Sequence, residues 1–113
     1  MYNFAAYTVG LDLARALDPV IEQIKTRNAE LADQIDRARI SVICNISEGA
    51  RRSGLDRRRF YGYASGSASE LLGALDLASI LRYPVDDKNA RALLDRERGL
   101  LWGLTLDPKT KTA

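Results

Sequence analysis

Apolar residues recur along this chain at intervals of three and four, the repeat of an amphipathic helix. Leu11, Ala14, Leu17, Ile21 and Ile24 share one face, widened by Leu13 and Val20. Leu31, Ile35, Ala38, Val42 and Ile46 form a second stripe. Asn28 stands where a side-chain oxygen can cap its start. Ser53-Gly54 interrupts the pattern. Phe60, Ala64, Ser67, Leu71, Ala74, Ala78 and Leu81 resume it, and Pro84 stops it, because proline disfavours helix at the residue before it. Asp86-Asp87 can cap a fourth helix carrying Ala90, Leu94, Leu101 and Leu104. No stretch alternates as a strand would. The expected helices cover roughly 5–26, 28–52, 55–82 and 86–105, with a frayed tail over 107–113. Short turns between long helices predict an all-α, antiparallel up-down-up-down four-helix bundle, one domain over 1–113.

Composition narrows the chemistry. Of 113 residues, 46% are hydrophobic and 28% charged, enough apolar material for a core. There is no histidine, which removes the commonest general base and the Glu-x-x-His pairs of di-iron bundles. One cysteine leaves no internal disulfide and no zinc framework, and fits a reducing, cytoplasmic setting. Cys44 is expected as a small buried thiol. Residues 1–10 lack the basic start and long apolar run of a secretory leader, and no apolar run is long enough to span a membrane. Magnesium at Asp86-Asp87 is conceivable, but capping explains the pair better. No catalytic residue, metal or cofactor is expected, and an enzyme is not.

Three features exceed the needs of a plain bundle. Asn45, Glu48, Ser67 and Glu70 put polar groups inside the second and third helices. A hairpin about Gly54 brings together residues whose numbers sum to about 108, so these four are expected to hold the two helices in register. Glu70 is expected to reach Arg37 or Arg39, and Glu48 a hydroxyl, a backbone donor or Arg52, since an unpaired buried carboxylate is costly. Gly62, Gly66, Ser69 and Gly73 step by four, three and four, a stripe of small residues suited to close helix packing. The three glycines forgo about 1 kcal/mol each relative to alanine; alternatively they mark a loop or kink. Finally, Arg51, Arg52, Arg57, Arg58 and Arg59 crowd the turn against Asp56, a local excess of four charges over 51–59. Arginine forks suit phosphate. Arg57 to Arg59 oppose the dipole at the start of their helix, which raises a functional reading without displacing the plain one, a solvated helix end.

Asn45-Ile46-Ser47-Glu48-Gly49 resembles the Asn-Ile-Ala-Glu-Gly signature of the four-helix-bundle proteins first described from intervening sequences of large-subunit ribosomal RNA genes. Phe60-Tyr61-Gly62-Tyr63-Ala64-Ser65-Gly66-Ser67-Ala68-Ser69-Glu70-Leu71 resembles that family's second signature, a Phe leading to Ala-x-Gly-Ser-x-x-Glu-Leu. The family includes the accessory variability determinant of diversity-generating retroelements. The resemblance implies a homopentameric ring of four-helix protomers and, from the retroelement member, binding to nucleic acid and to a reverse transcriptase. Ser65 stands where many members carry Arg. A ring would multiply the basic turn fivefold and make phosphate binding by counterion release effective. Leu100, Leu101, Trp102, Leu104 and Leu106 cannot all face one core, so apolar surface remains for assembly, unless Trp102 closes the end of the bundle. The expectation is a non-enzymatic oligomer that binds RNA or DNA through the five arginines. The alternative is a protein-interaction scaffold whose arginines meet an acidic partner.

Overall fold

The computed structural model describes residues 4–106; the expected tail lies outside the described residues. Four helices are present, with no strand among the described residues: α1 (Phe4–Lys25), α2 (Ala29–Ala50), α3 (Gly54–Ile80) and α4 (Lys88–Thr105). α1 packs on α2 and α4, and α3 packs on the same two, so each helix has two neighbours around a shared core. The bundle is elongated, 45 × 25 × 19 Å. Among the described residues no helix is long and apolar enough to cross a membrane.

The core follows the apolar stripes. α1 buries Leu13, Leu17, Val20 and Ile24; α2 buries Ile35, Val42 and Ile46; α3 buries Ala64, Ala68, Leu71 and Leu75; α4 buries Leu94 and Leu101. Pro19 lies inside α1 on its exposed side. It has no N–H to give the preceding turn. The carbonyl facing that missing donor is that of Arg15; separately, the Ala14 carbonyl accepts from Arg39 Nη1 at 2.8 Å, which ties α1 to α2.

The ends show how the sequence sets the turns. Asn28 caps α2 as expected, its Oδ1 accepting from the Leu31 N–H at 2.9 Å. Its Nδ2 donates to the Tyr83 hydroxyl at 3.3 Å, which joins the α1–α2 turn to the loop after α3. Asp86 N–H donates to Gln23 at the same end. Arg82 closes α3 in the left-handed region (φ 61°), with Tyr83 N–H bonding back to the Ala78 carbonyl. Asp87 stands at the N-cap of α4 without making a cap bond. Its carboxylate accepts instead from Arg91, whose long side chain reaches back one turn.

Two expectations are corrected here. Gly62, Gly66 and Gly73 face outward: a Cβ on any of them would meet nothing within 4 Å. Ser69 is exposed beside them. Within the bundle this stripe makes no close helix approach, because the apolar residues of α3 occupy the opposite face. The close approaches occur elsewhere. A Cβ on Gly49 would lie 2.7 Å from the ring of buried Tyr61, and one on Gly10 would lie 2.7 Å from Glu97. Cys44 is exposed rather than buried, since the inward side of that turn is filled by Val42 and Ile46.

Candidate nucleic-acid interface

The α2–α3 turn concentrates charge for a local reason. α2 ends at Ala50, Ser53 is extended, and Gly54 takes a left-handed φ of 60° that a side chain would resist. Three residues therefore reverse the chain. The last turn of α2 and the first of α3 are brought side by side.

The arginines are not equivalent. Arg51 donates to Glu48 Oε1 at 2.8 Å, and its side chain is 75% exposed. Arg52 meets Glu48 Oε2 through Nε and Nη2, at 3.0 and 2.9 Å, and Asp56 through Nη1 at 3.1 Å. Arg59 meets Asp56 Oδ1 at 2.7 Å. The order Arg51–Glu48–Arg52–Asp56–Arg59 is a ladder of alternating charge across the turn. Phe60 lies beneath it, with the Arg52 guanidinium 4.9 Å and that of Arg59 5.3 Å from its ring centre. Tyr63 meets Phe60 edge-on at 5.5 Å.

Arg57 has a different task. Its Nε and Nη2 donate to the Gly49 and Ala50 carbonyls at 3.2 and 3.4 Å, so it satisfies the open end of α2. Its position looks unfavourable for α3 but suits the negative end of the neighbouring helix. Arg58 is half-buried.

Electrostatically, hydrogen bonds from Arg52 and then Arg51 hold the Glu48 carboxyl below its ordinary range. Glu48, followed by Asp56, pushes the Arg52 guanidinium upward. Of the partners open to Glu48, a hydroxyl, a backbone donor or Arg52, it takes Arg52, together with Arg51. Counting Glu48, residues 48–59 carry five arginines against two carboxylates, so the excess is three charges rather than four. The turn is partly neutralised from within.

The other polar residues divide. Ser67 Oγ lies 2.7 Å from Ser41 Oγ, a pair at the expected hairpin register. Asn45 Nδ2 donates to the same Ser41 hydroxyl at 3.0 Å and to the Ser41 carbonyl at 2.9 Å. Asn45 and Ser67 thus meet at Ser41, which sequence reasoning passed over. Glu70 is exposed and does not meet the arginines expected for it. Arg37 pairs with Asp33 one turn back, and Arg39 with Asp36 and Asp18. Those nearer carboxylates satisfy both guanidinium groups without crossing to α3.

Sequence reasoning also passed over Glu97. It is fully buried, and neither carboxyl oxygen has a hydrogen-bond partner. Burial pushes its carboxyl up to about 8, with Arg96 opposing weakly. The signal was available: Glu97 stands between Leu94 and Leu101 on the apolar stripe of α4. No group of three or more Cys, Asp or Glu among the described residues is placed to hold a metal.

No curated protein matches the chain. A sequence profile described as 23S rRNA-intervening sequence protein matches residues 3–99, which takes in all of the first three helices and most of α4. That span contains the Asn45–Gly49 and Phe60–Leu71 signatures on either side of the basic turn, and the chain belongs to the 23S rRNA-intervening sequence protein family.

Proposed function

We propose that this protein is a non-enzymatic, oligomeric helical bundle that binds nucleic-acid phosphates through the α2–α3 turn. The observation that carries the reading is the surplus of guanidinium groups there, five against two carboxylates, with Arg51 and Arg59 presented to solvent. An arginine paired with one carboxylate keeps further donors for a phosphate oxygen. The family's description, which names a ribosomal RNA intervening sequence, is in keeping with an RNA-related role.

The proposal includes an antiparallel order of helices and a homopentameric, cytoplasmic assembly. The pairings Asn28–Tyr83, Ser41–Ser67 and Gly49–Tyr61 support the antiparallel order, because the residue number rises on one helix as it falls on the other. Exposed Leu77, Ile80, Leu81 and Trp102 leave apolar surface for assembly. A ring of five would place fifteen excess charges on one particle, if each turn contributes its three. A reverse transcriptase as protein partner belongs to the same proposal. Its test is co-purification of the two chains.

Binding by such a turn is led by charge and shape, so affinity should fall steeply with salt. The test is titration of labelled RNA and DNA over a range of ionic strength, with Arg51→Gln/Arg59→Gln as the comparison. The expected result is a shallower salt slope and weaker binding in the double variant. Salt-independent binding, or none at low salt, contradicts the reading. The same exposed apolar residues favour the second reading, a protein scaffold without nucleic-acid binding. Light scattering gives the assembly's mass, and pull-down with the double variant separates the two readings.

A further inference from the structure

Phe60 gathers the turn's side chains into one cluster, with the Arg52 and Arg59 guanidinium groups over its ring and Tyr63 edge-on to it. Arg52 is held on three donors: Nε and Nη2 against Glu48, and Nη1 against Asp56. The N–H bonds of a guanidinium lie in its plane, so those partners occupy its edge. Its two faces remain. Its Cζ lies over the Phe60 ring, 4.9 Å from the ring centre, and the side chain is 41% exposed. Tyr63, half exposed, abuts the same phenyl ring. An arginine whose edge is spent on carboxylates is a poor phosphate fork. A flat cation fixed on a phenyl ring is a good stacking surface.

We infer that the Arg52–Phe60 stack, with Tyr63 beside it, receives unpaired bases, so that the nucleic acid this protein takes is single-stranded. The inference rests on the phosphate-binding reading and narrows it. Arg51 and Arg59 hold the sugar-phosphate chain, and the stack takes the bases. A duplex hides its base faces and offers the turn only phosphate. Stacking does not consult the 2′-hydroxyl, so RNA and DNA single strands bind alike at this point.

The test compares wild-type protein with Arg52→Lys, which keeps the charge and loses the plane. Fluorescence anisotropy is read at low salt with four probes: a single-stranded oligoadenylate of about ten nucleotides, matching the span of a single-strand site, an abasic strand of equal length, a blunt duplex and polyglutamate. Arg52→Lys is expected to weaken oligoadenylate binding about fivefold or more, leaving the abasic strand and the duplex unchanged. Phe60→Leu, which removes the ring beneath both Arg52 and Arg59, is expected to weaken oligoadenylate most and the abasic strand and duplex less, and covers a folding defect in the first variant. Equal losses on all nucleic-acid probes overturn the stack and leave the phosphate reading standing. So does wild-type protein that holds the abasic strand as tightly as oligoadenylate. Polyglutamate bound as tightly as oligoadenylate overturns it in favour of an acidic protein partner. Binding to no polyanion at all removes the phosphate reading as well.

Discussion

Glu48 and Glu97 are the same side chain at opposite extremes. Glu48 sits at the end of α2, half-buried, with Arg51 and Arg52 on its two oxygens. Glu97 sits in the core against Gly10 and Ile43, with no partner on either oxygen. The arginines hold the first carboxyl low, and burial pushes the second up to about 8. At neutral pH the turn is therefore a field of full charges, while the core keeps its acid largely protonated. Charge on this molecule is sorted by solvent access. What can meet an outside anion is at the turn, and what could not be solvated is discharged by proton uptake.

The largest effect that sharpens this contrast is expected from Glu97→Gln. A carboxyl raised in the folded state stabilises less as pH rises from its ordinary value of 4.5 towards about 8. Wild-type stability should thus decline across that window. The variant, with nothing to ionise, should be more stable at pH 8 by on the order of 4 kcal/mol. Below pH 4.5 the two should converge. Urea unfolding at several pH values checks it, and a variant advantage independent of pH breaks the comparison.

Gly10→Ala comes next. Its Cβ would stand 2.7 Å from Glu97 Oε2 and 3.0 Å from Ile43 Cδ1. Glu97 Oε2 is the end of a flexible side chain but a fully buried one, so making room should cost about 1 kcal/mol or more. Adding Glu97→Ala should recover part of it, and a thermal-melt double-mutant cycle reads that coupling. Smaller still are Gly62→Ala, Gly66→Ala and Gly73→Ala, on an open face. Each should stabilise an isolated protomer by roughly 0.5–1 kcal/mol. If another subunit covers that face, light scattering should show a weakened assembly instead. Glu48→Gln should alter folding least. It adds one to the turn's positive excess and should strengthen polyanion binding at low salt, read by anisotropy.

Much of the fold was legible. Helical spacing marked all four elements, and Asn28 and Ser53-Gly54 marked two turns, because capping and left-handed φ are local requirements. The direction of the glycine stripe was not. Gly62, Gly66 and Gly73 do share a face, but small residues do not say whether that face is inside. The answer came from Tyr61, Ala64, Ala68 and Leu71 winning the core. Glu70 was misplaced for a related reason. Register put it near Arg37 and Arg39, but register does not reveal that carboxylates one turn away satisfy them first. The basic turn was visible as composition, whereas its internal division was not: Arg57 as a cap, Arg52 edge-on to two carboxylates, and Arg51 and Arg59 outermost depend on how two helix ends meet.

The most direct test of the central claim is to locate the bound strand. A photoreactive single-stranded RNA, cross-linked at low salt and mapped by mass spectrometry, should label residues between Arg51 and Tyr63. The opposite end, around Asn28 and Tyr83, should stay unlabelled. Cross-links gathered at that opposite end, or spread evenly over the protomer, would contradict the account.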